Sequence, residues 1–141
     1  MSPDPLVLTV RYHAAINALD FAAIEDAFAE EARYTSNGVG ALVGRAAILS
    51  AFRDYFEIYP DQVARDSLIE TLSPCSARTR WHLEATNART GEQVARSGIE
   101  HLQFDAYGRI VAIEVFDDQP NIQTPGIPQE DSGRLKLSFR D

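Results

Sequence analysis

The amino-acid sequence predicts an α+β domain in which three helices precede a curved antiparallel β-sheet. Three observations carry this. Apolar residues recur at helical spacing as far as Pro60 and alternate with polar ones from Val63 onward. Two alternating runs flank the turn-forming Asp105-Ala106-Tyr107-Gly108, so residues 94–118 read as a long β-hairpin. With 45% hydrophobic and 24% charged residues, the 141 positions have the makings of one closed core and are expected to form a single domain.

Taken in order, Asp4-Pro5 is a helix start, a capping carboxylate followed by a proline whose missing N–H costs nothing in the first turn. The helix runs to about Leu19 with Leu8, Tyr12, Ala15, Ile16 and Leu19 on one stripe, leaving His13 toward solvent. Asp20 caps a second helix over 21–32, with Phe21, Ile24, Ala27 and Phe28 inward. Residues 33–36 form a short strand, which the glycine-containing stretch 37–40 breaks into a loop returning through Leu42 and Val43. A third helix spans 45–59, with Ile48, Phe52, Tyr55, Phe56 and Tyr59 on one face, and Pro60 stops it. Strands follow over 63–72, 77–88, 94–104 and 109–117. Residues 1–122 make up the domain; 123–141 read as an extended tail with an optional short edge strand at 134–139.

Composition narrows the function. A net charge of −8 repels phosphate backbones and anionic membranes, which argues against nucleic acid and membrane partners and leaves a small apolar ligand or substrate. One cysteine, Cys75, precludes an intramolecular disulfide and suits a reducing compartment. No stretch is long and apolar enough to span a bilayer, and the first residues lack the basic and apolar parts of a signal peptide; the expected location is cytoplasmic. The loop Gly38-Val39-Gly40 lacks the spacing of a phosphate-binding motif, so no cofactor is implied. His82 and His101 fall on the outer sheet face as possible cross-strand neighbours, without a third ligand at useful spacing, and no metal site is expected.

The hairpin carries the most informative residues. With an unbulged register, Phe104 faces Arg109 and Arg96 faces Asp117, while Glu100 and Asp117 share an otherwise apolar face about four residues apart. An unpaired carboxyl on such a face costs several kcal/mol unless it is protonated or bonded, which marks Glu100 as a pocket residue. Asp117 has two readings, a proton-transfer group or the partner of Arg96 in an ion pair at the pocket mouth. Phe52, Tyr55, Phe56, Trp81, Leu83, Leu102, Phe104 and Ile113 form core or pocket wall.

The stretches Arg11-Tyr-His-Ala-Ala-Ile-Asn-Ala-Leu-Asp20 with Phe28-Ala-Glu-Glu-Ala32, Gly44-Arg-Ala-Ala-Ile48, and Ile99-Glu-His-Leu-Gln-Phe104 with Gly108-Arg-Ile-Val111 and Asn121-Ile122 occur in characteristic order. In these the chain resembles the SnoaL-like and ketosteroid-isomerase-like enzymes of the NTF2-like superfamily, over residues 6–122. The resemblance implies a cystatin-like cone of three helices on a curved sheet around an apolar pocket, and a homodimer through the outer sheet face. Carried over by position, Tyr12 matches the tyrosine that donates to the substrate oxyanion, and Glu100 matches the neutral carboxylic acid beside it. Ser36 stands where those isomerases hold their general base, and a serine hydroxyl is too weak a base at neutral pH without activation. Asn37 could orient a water or a carbonyl. The implied activity is cofactor-independent isomerase, lyase or cyclase chemistry on a small apolar carbonyl or enol, steroid- or polyketide-like, with Tyr12, Glu100, Asp117 and Ser36 as catalytic residues. The alternative is a non-catalytic small-molecule-binding or dimeric interaction module, which the replaced base favours.

Overall fold

The computed structural model describes residues 3–36 and 40–118. Helix α1 (Pro5–Ala18) begins where the Asp4 carboxylate accepts the Leu6 amide at 2.9 Å, and ends at Leu19 in the left-handed region, φ 54°. Helix α2 (Phe21–Ala27) is capped by Asp20, whose Oδ1 accepts the Ala23 amide at 3.1 Å. Then come β1 (Phe28–Ser36), β2 (Gly40–Val43), α3 (Arg45–Ile58), β3 (Val63–Ser73), β4 (Ser76–Thr86), β5 (Gln93–Phe104) and β6 (Ile110–Asp117). Both capping carboxylates and the end of α3 before Pro60 are where the sequence puts them. Asn37 and the tail from residue 123 lie outside the described residues.

The six strands form one curved sheet in the order β2-β1-β6-β5-β4-β3, antiparallel everywhere except between β1 and β6, which run parallel. Three helices on such a sheet make the expected α+β cone. Tyr12, Ile24, Phe28, Ile48, Trp81, Leu102, Phe104, Ile110 and Ile113 are buried in one apolar cluster between the layers.

The second helix is shorter than the sequence suggests, and residues 28–32 belong to β1. The reason is a register shift. Phe28 pairs with Ile110 and Arg33 with Ala112, so five steps on β1 answer two on β6. Both Phe28 and Ala32 are fully buried, and this spacing of four within an irregular strand imitates a helical face. The Ala32 carbonyl accepts the Gly44 amide at 2.7 Å, and the Phe28 carbonyl accepts Arg45 Nη1 at 3.4 Å.

The hairpin is also displaced. The turn closes with Phe104 opposite Ile110, one residue beyond Arg109, and a bulge between Gln103 and Phe104 adds a second, which sets Glu100 opposite Val115 and Gly98 opposite Asp117, two residues away from the unbulged register. An even shift leaves the same side chains on the inner face. His82 and His101 are not cross-strand neighbours: His82 pairs with Ser97 and His101 with Arg78.

Pairings read across the sheet give two inward rows. One is Ser36, Val115, Glu100, Thr79 and Ile69, on β1, β6, β5, β4 and β3. The next is Asp117, Gly98, Trp81 and Asp66, on β6, β5, β4 and β3. Gly98 is obligatory in this arrangement, because a Cβ there would strike the Phe116 carbonyl oxygen and come within 2.7 Å of Trp81 Cζ2.

Candidate functional site

Three of the anticipated catalytic residues, Ser36, Glu100 and Asp117, lie on the inward rows of the sheet, and Tyr12 is on α1 in the core cluster between the layers. Tyr12 (4% exposed), Ser36 (5%) and Glu100 (7%) are buried, and Asp117 is half-buried. Glu100 and Asp117 stand on adjacent rows rather than about four residues apart, so the distance between them along the strands falls to about 7 Å.

Glu100 is held by a residue that the sequence reading placed in solvent. The imidazole of His13 lies between two carboxylates, with Nε2 2.7 Å from Glu100 Oε1 and Nδ1 2.6 Å from Asp66 Oδ2. The side chains of His13, Asp66 and Glu100 are only 18%, 13% and 9% exposed, so solvent screens these contacts weakly. Thr79 Oγ1 also donates to Glu100 Oε1, at 3.4 Å. Glu100 Oε2 makes no hydrogen bond among the described residues.

Burial alone pulls the His13 imidazole toward its neutral form. The charge of Glu100 and hydrogen bonds to both carboxylates outweigh that, and raise its pKa to about 10. His13 is therefore an imidazolium at neutral pH, with both N–H groups donating. With His13 in that form, Glu100 Oε1 accepts from Nε2, a different arrangement from the neutral donor that the resemblance implies. Tyr12 contributes its ring to the His13 imidazole at 5.4 Å and to Phe28 edge-on at 5.5 Å.

Tyr34, which no residue-type signal singled out, is the second buried phenol. It sits one position before the outward Thr35 on β1 and packs edge-to-face on Phe52 at 5.4 Å. Burial first, then the negative charge of Glu100, pushes the pKa values of both Tyr12 and Tyr34 well above that of an ordinary phenol. Arg96, Asp117 and Tyr55 also act on Tyr34 electrostatically, so it lies within reach of both polar ends of the face. Both phenols therefore keep their protons and remain able to donate a hydrogen bond.

At the other end, Asp117 Oδ2 accepts from Arg96 Nε at 2.9 Å and Nη2 at 2.8 Å. The ion-pair reading of these residues therefore holds, reached diagonally across Gly98 rather than directly opposite. Arg96 also lies 5.9 Å from the Trp81 ring, within cation–π range.

The remaining expected wall residues are brought together. Trp81, Leu83, Leu102, Phe104 and Ile113 are buried in the core cluster, with Phe52 packed against it. Phe56 is buried, and Tyr55 packs on it at 5.3 Å. A separate groove of about 420 Å³, lined by Asp61, Val63, Glu84, Ala85, Thr86, Gln93, Val94 and Ala95, contains none of the anticipated residues. Among the described residues no group of three His, Cys, Asp or Glu side chains could hold a metal ion. No helix among them is long and apolar enough to cross a membrane.

The fold agrees with comparisons to known proteins. An NTF2-like protein of unknown function from Exiguobacterium sp. 255-15 superposes with a TM-score of 0.70 at 20% identity, covering 79% of this chain and 98% of that one. A putative polyketide cyclase from Xanthomonas campestris pv. campestris gives 0.71 at 19% identity, over 77% and 86% of the two chains. An M. tuberculosis LEH-like epoxide hydrolase gives 0.71 at 14% identity, over 81% and 82%. At these identities the likeness establishes the fold alone. None of the curated proteins matches. The SnoaL-like domain family matches residues 9–113, the segment that carries His13, Tyr34, Asp66, Arg96 and Glu100, and the chain belongs to that family.

Proposed function

We propose that the protein is a cofactor-independent acid–base enzyme of the isomerase, lyase or cyclase type. Its substrate is a small apolar carbonyl or enol compound, steroid- or polyketide-like, with Glu100 as the base and Tyr12 and Tyr34 as donors to the developing oxyanion. The observation that carries this reading is the 2.7 Å contact from His13 Nε2 to Glu100 Oε1. The His13 imidazolium lies behind Oε1, and Oε2 remains to receive a proton. Glu100 thus supplies the base that Ser36 cannot. Ser36 shares its row across Val115 and serves to orient the substrate. Two phenols that stay protonated stabilise charge on the substrate oxygen, and such preorganised donors contribute about 2.7–4 kcal/mol each in a dry site.

The test uses a nitrobenzisoxazole, a neutral aromatic probe. A base removes its ring C–H proton, the N–O bond breaks, and a coloured nitrile-bearing phenolate forms. The wild type is expected to accelerate this ring opening over acetate buffer, and Glu100→Gln to lose at least about 100-fold of that rate. Wild-type and Glu100→Gln rates that coincide would sink the assignment of the base.

The second reading, a binding module, draws support from the Arg96 to Asp117 pair, which occupies one of the inner carboxylates without chemistry. In either case the outer face is proposed to pair with a second copy, because Leu68 and Phe116 are 51% and 46% exposed there beside Ile99. Sedimentation should report a dimer that Phe116→Asp converts to monomer; a monomeric wild type would remove this proposal.

A further inference from the structure

Helix α1 and the edge strand β3 are joined by two side-chain contacts in matching register. The Asn17 amide brackets the Ala64 backbone, with Nδ2 donating to the carbonyl and Oδ1 accepting the amide N–H, both at 2.9 Å. One helical turn earlier, His13 meets Asp66. Four residues of helix rise about 6 Å and two residues of strand about 6.6 Å, so the pairs Asn17 to Ala64 and His13 to Asp66 fit without strain on either element. This dock fixes where His13 stands. Asp66 and Glu100 lie two strands and one row apart, too far to meet directly, and the imidazole fills the gap with one ring nitrogen toward each.

We infer that Asp66, on the outermost strand, is a remote positioning residue for proton transfer: through His13 it fixes a permanent cation behind Glu100 and directs Glu100 Oε2 to the substrate. The inference rests on the proposed role of Glu100 as base. The reason is positional and electrostatic. An imidazole with one carboxylate partner can release its second proton and turn, whereas an imidazole donating to two carboxylates can do neither without leaving one of them facing a bare ring nitrogen. The titratable and charged groups around His13 are Asp66 from β3, Glu100 from β5 and Tyr12 from α1, with Tyr34 on β1 facing Glu100. β4 contributes only the uncharged Thr79 and Trp81 to these rows. Asp66 is thus the one acidic group on the far side of the ring from the proposed base.

Two measurements on the full chain test this. In proton NMR, His13 is one of three histidines, assignable by His13→Gln. In the wild type its ring proton should stay at the imidazolium position to at least about pH 9. In Asp66→Asn, which keeps the shape and removes the charge, the midpoint should fall by about 2 pH units. The pH–rate profile for nitrobenzisoxazole opening should then gain a new inflection at that lowered midpoint, and Asp66→Glu should restore the wild-type profile. A merely structural role for Asp66 would lower the rate at every pH without adding an inflection. A wild-type His13 that titrates near its ordinary value, or an Asp66→Asn variant with unchanged His13 midpoint and unchanged profile, overturns the inference. An unchanged rate in Glu100→Gln would instead overturn the base assignment, and the NMR titration would still decide whether Asp66 holds the charge on His13.

Discussion

The inner face of β5 carries two ionic arrangements four residues apart, built on opposite principles. At Arg96 a cation meets one carboxylate, Asp117, and both side chains are 20–25% exposed. At Glu100 one cation is shared by two carboxylates, all three less exposed, and the unit carries a net negative charge. The first is a neutral pair near the rim, where Coulomb attraction and lost solvation largely cancel. The second leaves an anion in an apolar wall, an expensive arrangement for a merely structural device. A fold retains such a cluster at a cost to its stability, and that contrast directs the functional reading to Glu100 rather than Asp117.

The comparison is broken most severely at His13. His13→Ala leaves two poorly solvated carboxylates with no cation between them, and should destabilise the fold by about 3–5 kcal/mol in urea titration. A loss below about 1 kcal/mol would mean that the two ends are energetically alike.

A milder perturbation is pH itself. The folded-state pKa of His13 is raised to about 10 from an ordinary 6.5, so the native state holds that proton more tightly than the unfolded chain does. Its contribution is therefore fully present below about pH 6.5 and is lost as pH rises through about 10. Urea midpoints of the wild type should fall across this window by the equivalent of roughly 2–4 kcal/mol, and those of His13→Gln should fall much less. Parallel curves for the two proteins would refute the link.

The smallest effect is expected at the other end. Asp117→Asn keeps the shape and an acceptor oxygen for Arg96, and should cost only about 0–1 kcal/mol, with a salt dependence weaker than that of the wild type. Its rate with nitrobenzisoxazole should stay within about threefold of the wild type.

The same contrast explains what was legible in the sequence. Arg96 and Asp117 are on one hairpin, so alternation alone brought them together, and even a two-residue register error left both on the inner face. Glu100 declared itself as a carboxylate on an apolar stretch, and Tyr12 as an aromatic on a helical stripe. Asp4, Asp20 and Pro60 marked helix ends because capping and the missing proline N–H act within a few residues. His13 was misplaced for the opposite reason: its partners are 53 and 87 residues away, on two different strands. The buried face of α1 is also wider than its apolar stripe, since Thr9 is fully buried beside it. One signal was present, in that His13 and Asn17 recur at one-turn spacing beside the apolar stripe. The parallel pairing of β1 with β6 and the irregular start of β1 were hidden as well, because Phe28 and Ala32 mimic helical periodicity.

The Asn17 bracket has a consequence for how copies of this protein meet. β3 ends the sheet, and an exposed edge is a template on which another chain can add a strand. The amide of Asn17 uses up the donor and the acceptor of Ala64, as a neighbouring strand would, and α1 lies alongside. Just beyond, the irregularity between Asp66 and Leu68 throws the edge out of regular repeat. The helix that delivers His13 to the interior thus also guards the border of the sheet against unwanted strand addition.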